Sequence, residues 1–212
     1  MPGDDKKRLG QYFTEPYLAD LIVCSAIRNK SDVVFDPTCG TGGILLRAYA
    51  YLRARGITKH SDLLDQLWGN DIGDFPTELA MINLFRQEVL DTANFPRVFT
   101  KDIFSLRPGS KMEVPPVKAS GGITKVMLEM PHFDAVVGNP PYLRRQDIGE
   151  GTPNPEKYRN TIWDKYPHFE HTSDLYVFVF DKGAEFLRTG GRLSYVTSNA
   201  WLDAEYGTEL CK

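Results

Sequence analysis

Cysteine is scarce in this 212-residue chain: Cys24, Cys39 and Cys211 are an odd number without metal-type spacing, which argues against a disulfide scaffold and against structural zinc. Long apolar runs are missing too. None approaches the roughly eighteen uninterrupted residues of a membrane span, and the N-terminal MPGDDKKRLGQYF stretch lacks the apolar core of a secretory signal. The chain therefore reads as soluble and cytoplasmic, with no membrane partner. Positive charge is not in excess either: the net charge is -3, so a nucleic-acid partner must be argued from local chemistry and not from a basic surface. Internal repeats and low-complexity tracts are absent. What the chain does have is 42% apolar residues and 12% aromatics, enough for the core of one α/β domain, which excludes disordered, collagen-like and coiled-coil classes.

Turn residues and apolar runs alternate as strands separated by helices, the pattern of a parallel α/β sheet. Helical spacing covers Thr14 to Arg28, with Thr14 as a candidate cap and Pro16 in the first turn. Val33-Val34-Phe35 is a strand ending at Asp36-Pro37, and Ile44 to Arg55 a helix closed by Gly56. Leu67 to Ile72 reads as a second strand, Pro76 to Val89 as a helix and Arg97 to Asp102 as a third strand. Residues 105–130, rich in proline and glycine, read mostly as an inserted or mobile loop. Phe133 to Val137 is a fourth strand, followed by a polar loop to about Ser173. Leu175 to Leu187 is then a helix, Gly190-Gly191 a turn, Arg192 to Thr197 a fifth strand, and Asp203 to Lys212 the start of another helix.

Asp36-Pro37-Thr38-Cys39-Gly40-Thr41-Gly42-Gly43 lies between strand and helix, where small residues admit a ligand to unpaired backbone N–H groups. Alone, such a loop is equally an ordinary Gly-rich turn. It lacks the spacing and the lysine of a phosphate-gripping loop, and its strand-end acid suits a cationic or hydroxyl-bearing ligand. Asp71 ends the next strand, where a carboxylate takes ribose hydroxyls, and Asp102 ends the third, where it can meet an adenine amino group. Three acids at successive strand ends match a ligand with an adenine, a ribose and a positively charged tail, which is S-adenosylmethionine.

Asn139-Pro140-Pro141-Tyr142 follows the fourth strand. Two prolines fix two φ angles and remove two donors, leaving a rigid, acceptor-rich hook. An exocyclic amino group is a poor nucleophile because its lone pair is delocalised into the ring. The Asn139 side-chain oxygen and the Pro140 carbonyl, holding both N–H bonds, favour a pyramidal nitrogen aimed at a methyl donor, while Tyr142 stacks on the base.

In these motifs the sequence resembles the DNA adenine-N6 methyltransferases that place the cofactor loop ahead of the catalytic tetrapeptide. Gly10-Gln11-Tyr12-Phe13-Thr14-Glu15-Pro16 is similar to the family's first cofactor motif, Asp36 to Gly42 to its Gly-rich loop, Asp71-Ile72 and Asp102-Ile103 to its later acids, and Asn139 to Tyr142 to its catalytic motif. Asp174-Leu175-Tyr176 and the stretch from Gly191 to Asn199 also resemble downstream elements, and Arg144-Arg145-Gln146 and Tyr206-Gly207 resemble single-chain restriction-modification enzymes and phage-defence methylases. The resemblance implies a Rossmann-like, mostly parallel sheet with about five strands present and two more beyond Lys212. It divides the chain into a cofactor-motif helix (1–30), a cofactor-binding half (31–104), the insertion (105–130) and a truncated catalytic half (131–212). It implies double-stranded DNA with a flipped adenine as substrate, read by a C-terminal target-recognition region or a separate specificity subunit. A methyltransferase of a protein glutamine amide or an RNA base needs the same hook, and a non-catalytic cofactor-binding subunit is a rival of another class.

The remaining candidates are plainer. His168 and His171 lie in the polar loop without a completing Cys or Glu, so no metal is assigned. Lys6-Lys7-Arg8 reads as a solvated tail. Arg144, Arg145, Lys157, Arg159 and Lys165 are matched in number by Asp147, Glu150, Glu156, Asp164 and Glu170 and make no basic patch, and Trp163, Tyr166 and Phe169 read as local loop packing ahead of a base-holding role.

Overall fold

Five short apolar segments pair side by side, every pairing parallel, in the order β3 (Arg97–Thr100), β2 (Leu67–Asp71), β1 (Val34–Asp36), β6 (Phe133–Gly138) and β7 (Leu187–Tyr195). The structure is a computed structural model and describes residues 14–91, 95–114, 126–169 and 173–199. Its elements are α1 (Pro16–Ala26), β1 (Val34–Asp36), α2 (Gly43–Ala54), α3 (His60–Gln66), β2 (Leu67–Asp71), α4 (Asp74–Phe85), β3 (Arg97–Thr100), β4 (Lys111–Val114), β5 (Val126–Glu129), β6 (Phe133–Gly138), α5 (Pro155–Lys165), α6 (Leu175–Glu185) and β7 (Leu187–Tyr195). Short 3-10 turns follow α4, β3 and β6.

The central strands are buried on both faces, which is why they read as apolar runs and not as alternation. Val34, Ala135 and Val137 face a core built with α1, α2, α3 and α4. Phe35, Trp68, Phe133 and Val136 face the other core, built with α5 and α6. The result is a three-layer, Rossmann-like α/β domain. The chain builds β1, β2 and β3 outward to one edge, then returns to lay β6 against the other side of β1. This topological switch opens a crevice at the carboxyl ends of β1 and β6.

Several expectations change. Thr14 does not cap α1; the cap position is Glu15, without a side-chain bond, and the Thr14 hydroxyl instead accepts from Asn139 Nδ2 at 3.1 Å. The insertion carries an antiparallel pair, β4 with β5, in a stretch expected to be mostly loop. The expected polar loop from Leu143 to Ser173 holds α5, whose Asn154 side chain caps the Lys157 N–H at 3.0 Å. Gly190-Gly191 is not a turn between elements but a bulge inside β7, whose pairing jumps from Phe133 with Leu187 to Ala135 with Arg192. The elements expected from Asp203 onward, with Tyr206-Gly207 and Cys211, lie outside the described residues, as do Lys6-Lys7-Arg8, Gln11, Tyr12, Phe13 and His171. Among the described residues no helix is long and apolar enough to cross a membrane.

Candidate active site

The three acids stand at one edge of the sheet in the order the strands impose. Asp102 follows β3, Asp71 ends β2, Asp36 ends β1 and Asn139 follows β6. At a strand spacing of about 4.8 Å, the row from β3 to β6 is about 14 Å long, the span of an extended nucleoside with an amino-acid tail.

Asp36 is buried; its Oδ1 accepts the Thr38 N–H at 3.1 Å, and Oδ2 has no hydrogen-bond partner among the described residues. Desolvation pushes its carboxyl up to about 8, with the Asp71 charge adding to the effect. Asp71 accepts from the Gly40 N–H through Oδ2 and from the Gly73 N–H through Oδ1, both at 2.9 Å, so it ties the Gly-rich loop to the start of α4. Burial raises its carboxyl as well. Asp102 Oδ1 accepts the Phe104 N–H at 3.0 Å.

Two adjoining hollows follow this edge. The larger encloses about 680 Å³, open solvent at its mouth included, and is lined by Pro37, Thr38, Gly40, Asp71, Ile72, Asp102 and Ile103 of the expected cofactor set, with Asn139 and Pro141 at one end. The smaller lies among Thr14, Asp36, Thr38, Cys39, Gly40 and Thr41, and Asn139 borders it too. Gly42 lines neither; it adopts φ +83° as the residue before α2, where a side chain would crowd Ala80. Pro140 and Tyr142 also lie outside both linings. Tyr142 is half-buried beside Tyr176, and its hydroxyl reaches Asn139 Oδ1 at 2.9 Å and the Val196 carbonyl at 3.0 Å. One phenolic proton serves those two acceptors in turn, so Asn139 Oδ1 is freed whenever the hydroxyl donates to Val196.

Sequence reasoning missed two residues here. Asn70 is buried inside β2, donating to the Pro37 carbonyl at 3.2 Å and the Lys101 carbonyl at 3.0 Å, which joins the loops after β1 and β3 across β2. A lone amide in a wholly buried strand was the available signal. Tyr158 of α5 lines the larger hollow, and no signal marked it once its segment was read as loop.

Outside the hollows, Tyr166 and Phe169 are core residues, in accord with packing. His168 sits 3.1 Å from Asp181, and Lys165 Nζ donates to the Phe104 carbonyl. Arg144, Arg145 and Arg159 do come together, with Glu156, Trp163 and Asp174, in a groove behind the tetrapeptide; Arg145 lies over the Trp163 ring. The numerical cancellation of charge along the sequence thus concealed a local gathering of arginines.

A parallel sheet switched at β1 and β6, with acids at three strand ends and a glycine loop between, is the class I S-adenosylmethionine-dependent methyltransferase fold. Within that class, the chain belongs to the Eco57I restriction-modification methylase family, whose model matches residues 65–212. It is similar to the type II methyltransferase M.XhoI of Xanthomonas vasicola, 33% identical over 87 residues, covering 40% of this chain and 15% of that protein. It is also similar to the tRNA (guanine(10)-N(2))-methyltransferase TRMT11 of Xenopus laevis, 27% identical over 208 residues, covering 90% of this chain and 38% of that protein. Among solved structures it shares its fold with the ATP-dependent type ISP restriction-modification enzyme LlaBIII bound to DNA, at a TM-score of 0.61 and 18% identity over 91% of this chain and 15% of that one. The chain spans less than half the length of each of these proteins.

Proposed function

We propose that the chain transfers a methyl group from S-adenosylmethionine to the N6 amino group of adenine in DNA, within a restriction-modification or phage-defence system. The observation that carries this reading is the position of Asn139, which borders both hollows at the switch between β1 and β6. Membership of a restriction-modification methylase family supports DNA as the substrate.

The residues present fit the cofactor. Asp36 Oδ2 is a buried acceptor without a described partner beside the smaller hollow, suited to a cationic group. Gly40, at φ +52°, leaves open space where a side chain would stand. Thr14, Asp36, Thr38, Cys39, Gly40 and Thr41 would hold the amino-acid tail, with Gln11, Tyr12 and Phe13 supplying the preceding motif. Pro37, Asp71 and Ile72 would hold the ribose and Asp102 and Ile103 the adenine, with Gly42 shaping the loop. When bound, S-adenosylmethionine supplies an electrophilic methyl group on its sulfonium.

Asn139 and Pro140 hold the two N–H bonds of the target amine and so localise its lone pair. Pro141 keeps the hook rigid, and Tyr142 presents its ring to the base while its hydroxyl turns to the Val196 carbonyl. The target adenine is flipped from double-stranded DNA, which a target-recognition region or specificity subunit would read.

Nucleosides from DNA and RNA incubated with the protein and labelled S-adenosylmethionine, resolved by mass spectrometry, test this. N6-methyladenine in DNA is expected, and Asn139→Ala should lower transfer by about a hundredfold or more while changing cofactor affinity less than about threefold. Transfer persisting near the parent rate removes Asn139 from the mechanism. The likeness to TRMT11 favours a second reading, methylation of a guanine amino group in RNA, which the same assay reports as N2-methylguanine.

A further inference from the structure

Thr14 stands just ahead of α1 without capping it, and its hydroxyl is engaged across 125 positions of chain by the catalytic hook. Asn139 Nδ2 donates to it at 3.1 Å, and the Tyr142 hydroxyl donates to the opposite end of the same amide, Asn139 Oδ1, at 2.9 Å. Thr14 and Asn139 also line the smaller hollow together. A half-turn of the amide would exchange its oxygen and its NH2 group, and only one setting serves the chemistry proposed above. The target amine needs the lone pairs of Oδ1 and is repelled by the N–H bonds of Nδ2. Tyr142 does not fix that setting by itself: when its proton goes to the Val196 carbonyl at 3.0 Å, its oxygen can accept from Nδ2 instead.

We propose that Thr14 is a positioning residue that orients the catalytic amide, and that it does so in response to occupancy of the smaller hollow. This rests on the cofactor reading above and gives Thr14 a second task, performed through Asn139. A hydroxyl can serve either end of an amide, so the placement of its own proton decides. Asp36 Oδ2, the buried acceptor of the residue lining the same hollow, has no hydrogen-bond partner among the described residues, so it does not take that proton. Given to an acceptor held in the hollow, such as the carboxylate of an amino-acid tail, the proton leaves only lone pairs for Asn139. Nδ2 is then kept toward Thr14 and Oδ1 away from it, as the target amine requires. With the hollow empty the proton can turn to the amide, and both settings are open; occupancy selects the productive one. Thr14→Val keeps the shape and removes the partner of Nδ2, which leaves the Tyr142 oxygen as its acceptor and the wrong end of the amide toward the substrate.

Magnetic resonance with nitrogen-labelled asparagine reads the amide directly, the Asn139 signal being the one that Asn139→Ala removes. S-adenosylhomocysteine carries the tail but no methyl group to transfer. Adding it should slow solvent exchange of an Asn139 Nδ2 proton by about tenfold or more in the parent and in Thr14→Ser, and by less than about twofold in Thr14→Val. In turnover, Thr14→Val should lower kcat at saturating cofactor by about tenfold or more, with Thr14→Ser within about threefold of the parent, whereas a residue that only held the tail would raise KM and leave kcat unchanged. An Asn139 signal that ignores a ligand shown by calorimetry to be bound, or a Thr14→Val variant with the parental kcat, overturns the proposal while leaving the cofactor reading intact. A parent that binds no S-adenosylhomocysteine overturns both.

Discussion

Asp36 combines a buried carboxyl, one backbone donor and an oxygen with no partner among the described residues, and its titration should show in stability. Its folded value of about 8 lies above the ordinary carboxyl range, so between about pH 4 and 8 the folded chain binds a proton that the unfolded chain has lost. The stabilising contribution is complete below pH 4 and lost as pH rises through 8. Asp71, whose own carboxyl is raised by burial, opposes the charge on Asp36, and the neutral phenol of Tyr195, buried close by, does not offset it. Asp36→Asn should therefore be more stable than the parent at pH 9, by on the order of 1–3 kcal/mol, with the gap closing toward pH 5. Urea denaturation across that range is the measurement, and a gap independent of pH would remove Asp36 as its source. A cationic ligand reverses the preference, so its binding near pH 7 should release a proton, visible as a binding enthalpy that varies with buffer in the parent and not in Asp36→Asn.

At the scale of elements, the packing of α6 on β7 turns on one missing side chain. A Cβ on Gly183 would lie 2.3 Å from the Tyr195 hydroxyl and 2.9 Å from Leu193 Cδ1. Gly183→Ala should cost about 1–3 kcal/mol by overpacking. Tyr195→Phe removes a buried hydroxyl with no described hydrogen-bond partner and should be close to neutral alone, yet restore much of the loss in the double variant. Denaturation midpoints of the three variants decide it; a double variant no better than Gly183→Ala would show that the hydroxyl is not the obstruction. The elements legible beforehand were those whose apolar run ended in an acid or a proline: β1 at Asp36, β2 at Asp71, β6 before Asn139. Burial on both faces writes such strands directly into composition. Helix α5 was hidden because only Ile162 among its residues is buried, leaving no apolar stripe, although Asn154-Pro155 was a sound start signal. The bulge in β7 was misread because glycine pairs serve turns and bulges alike, and only the partner strand decides between them. At the site, the carboxylates were legible one by one, whereas Asn70 and Tyr158 act through contacts across strands and helices that no local pattern records.

The whole molecule is divided by a seam. β1 joins β2 within the first third of the chain, but its other neighbour is β6, and the hydrogen bond from the Val33 N–H to Asp134 Oδ2 bridges 101 positions. Asp36, Asp71 and Asp102 lie on the early side, while Asn139 and the α6 wall of the larger hollow lie on the late side. Contacts of such separation must be reached by closing a long loop and are expected to form late in folding. A chain with β1, β2 and β3 assembled but the seam open has the carboxylate row without its opposite wall, and offers little to a nucleoside. A cofactor analogue should then leave the refolding rate almost unchanged and slow unfolding by nearly the full factor expected from its affinity. Stopped-flow traces with and without S-adenosylhomocysteine report both rates, and a ligand that accelerated refolding would mean that the hollow exists before the seam closes. On that expectation the β1–β6 junction is a clock as well as a scaffold: a nascent chain gains a complete hollow only when the segment carrying Asn139 has docked.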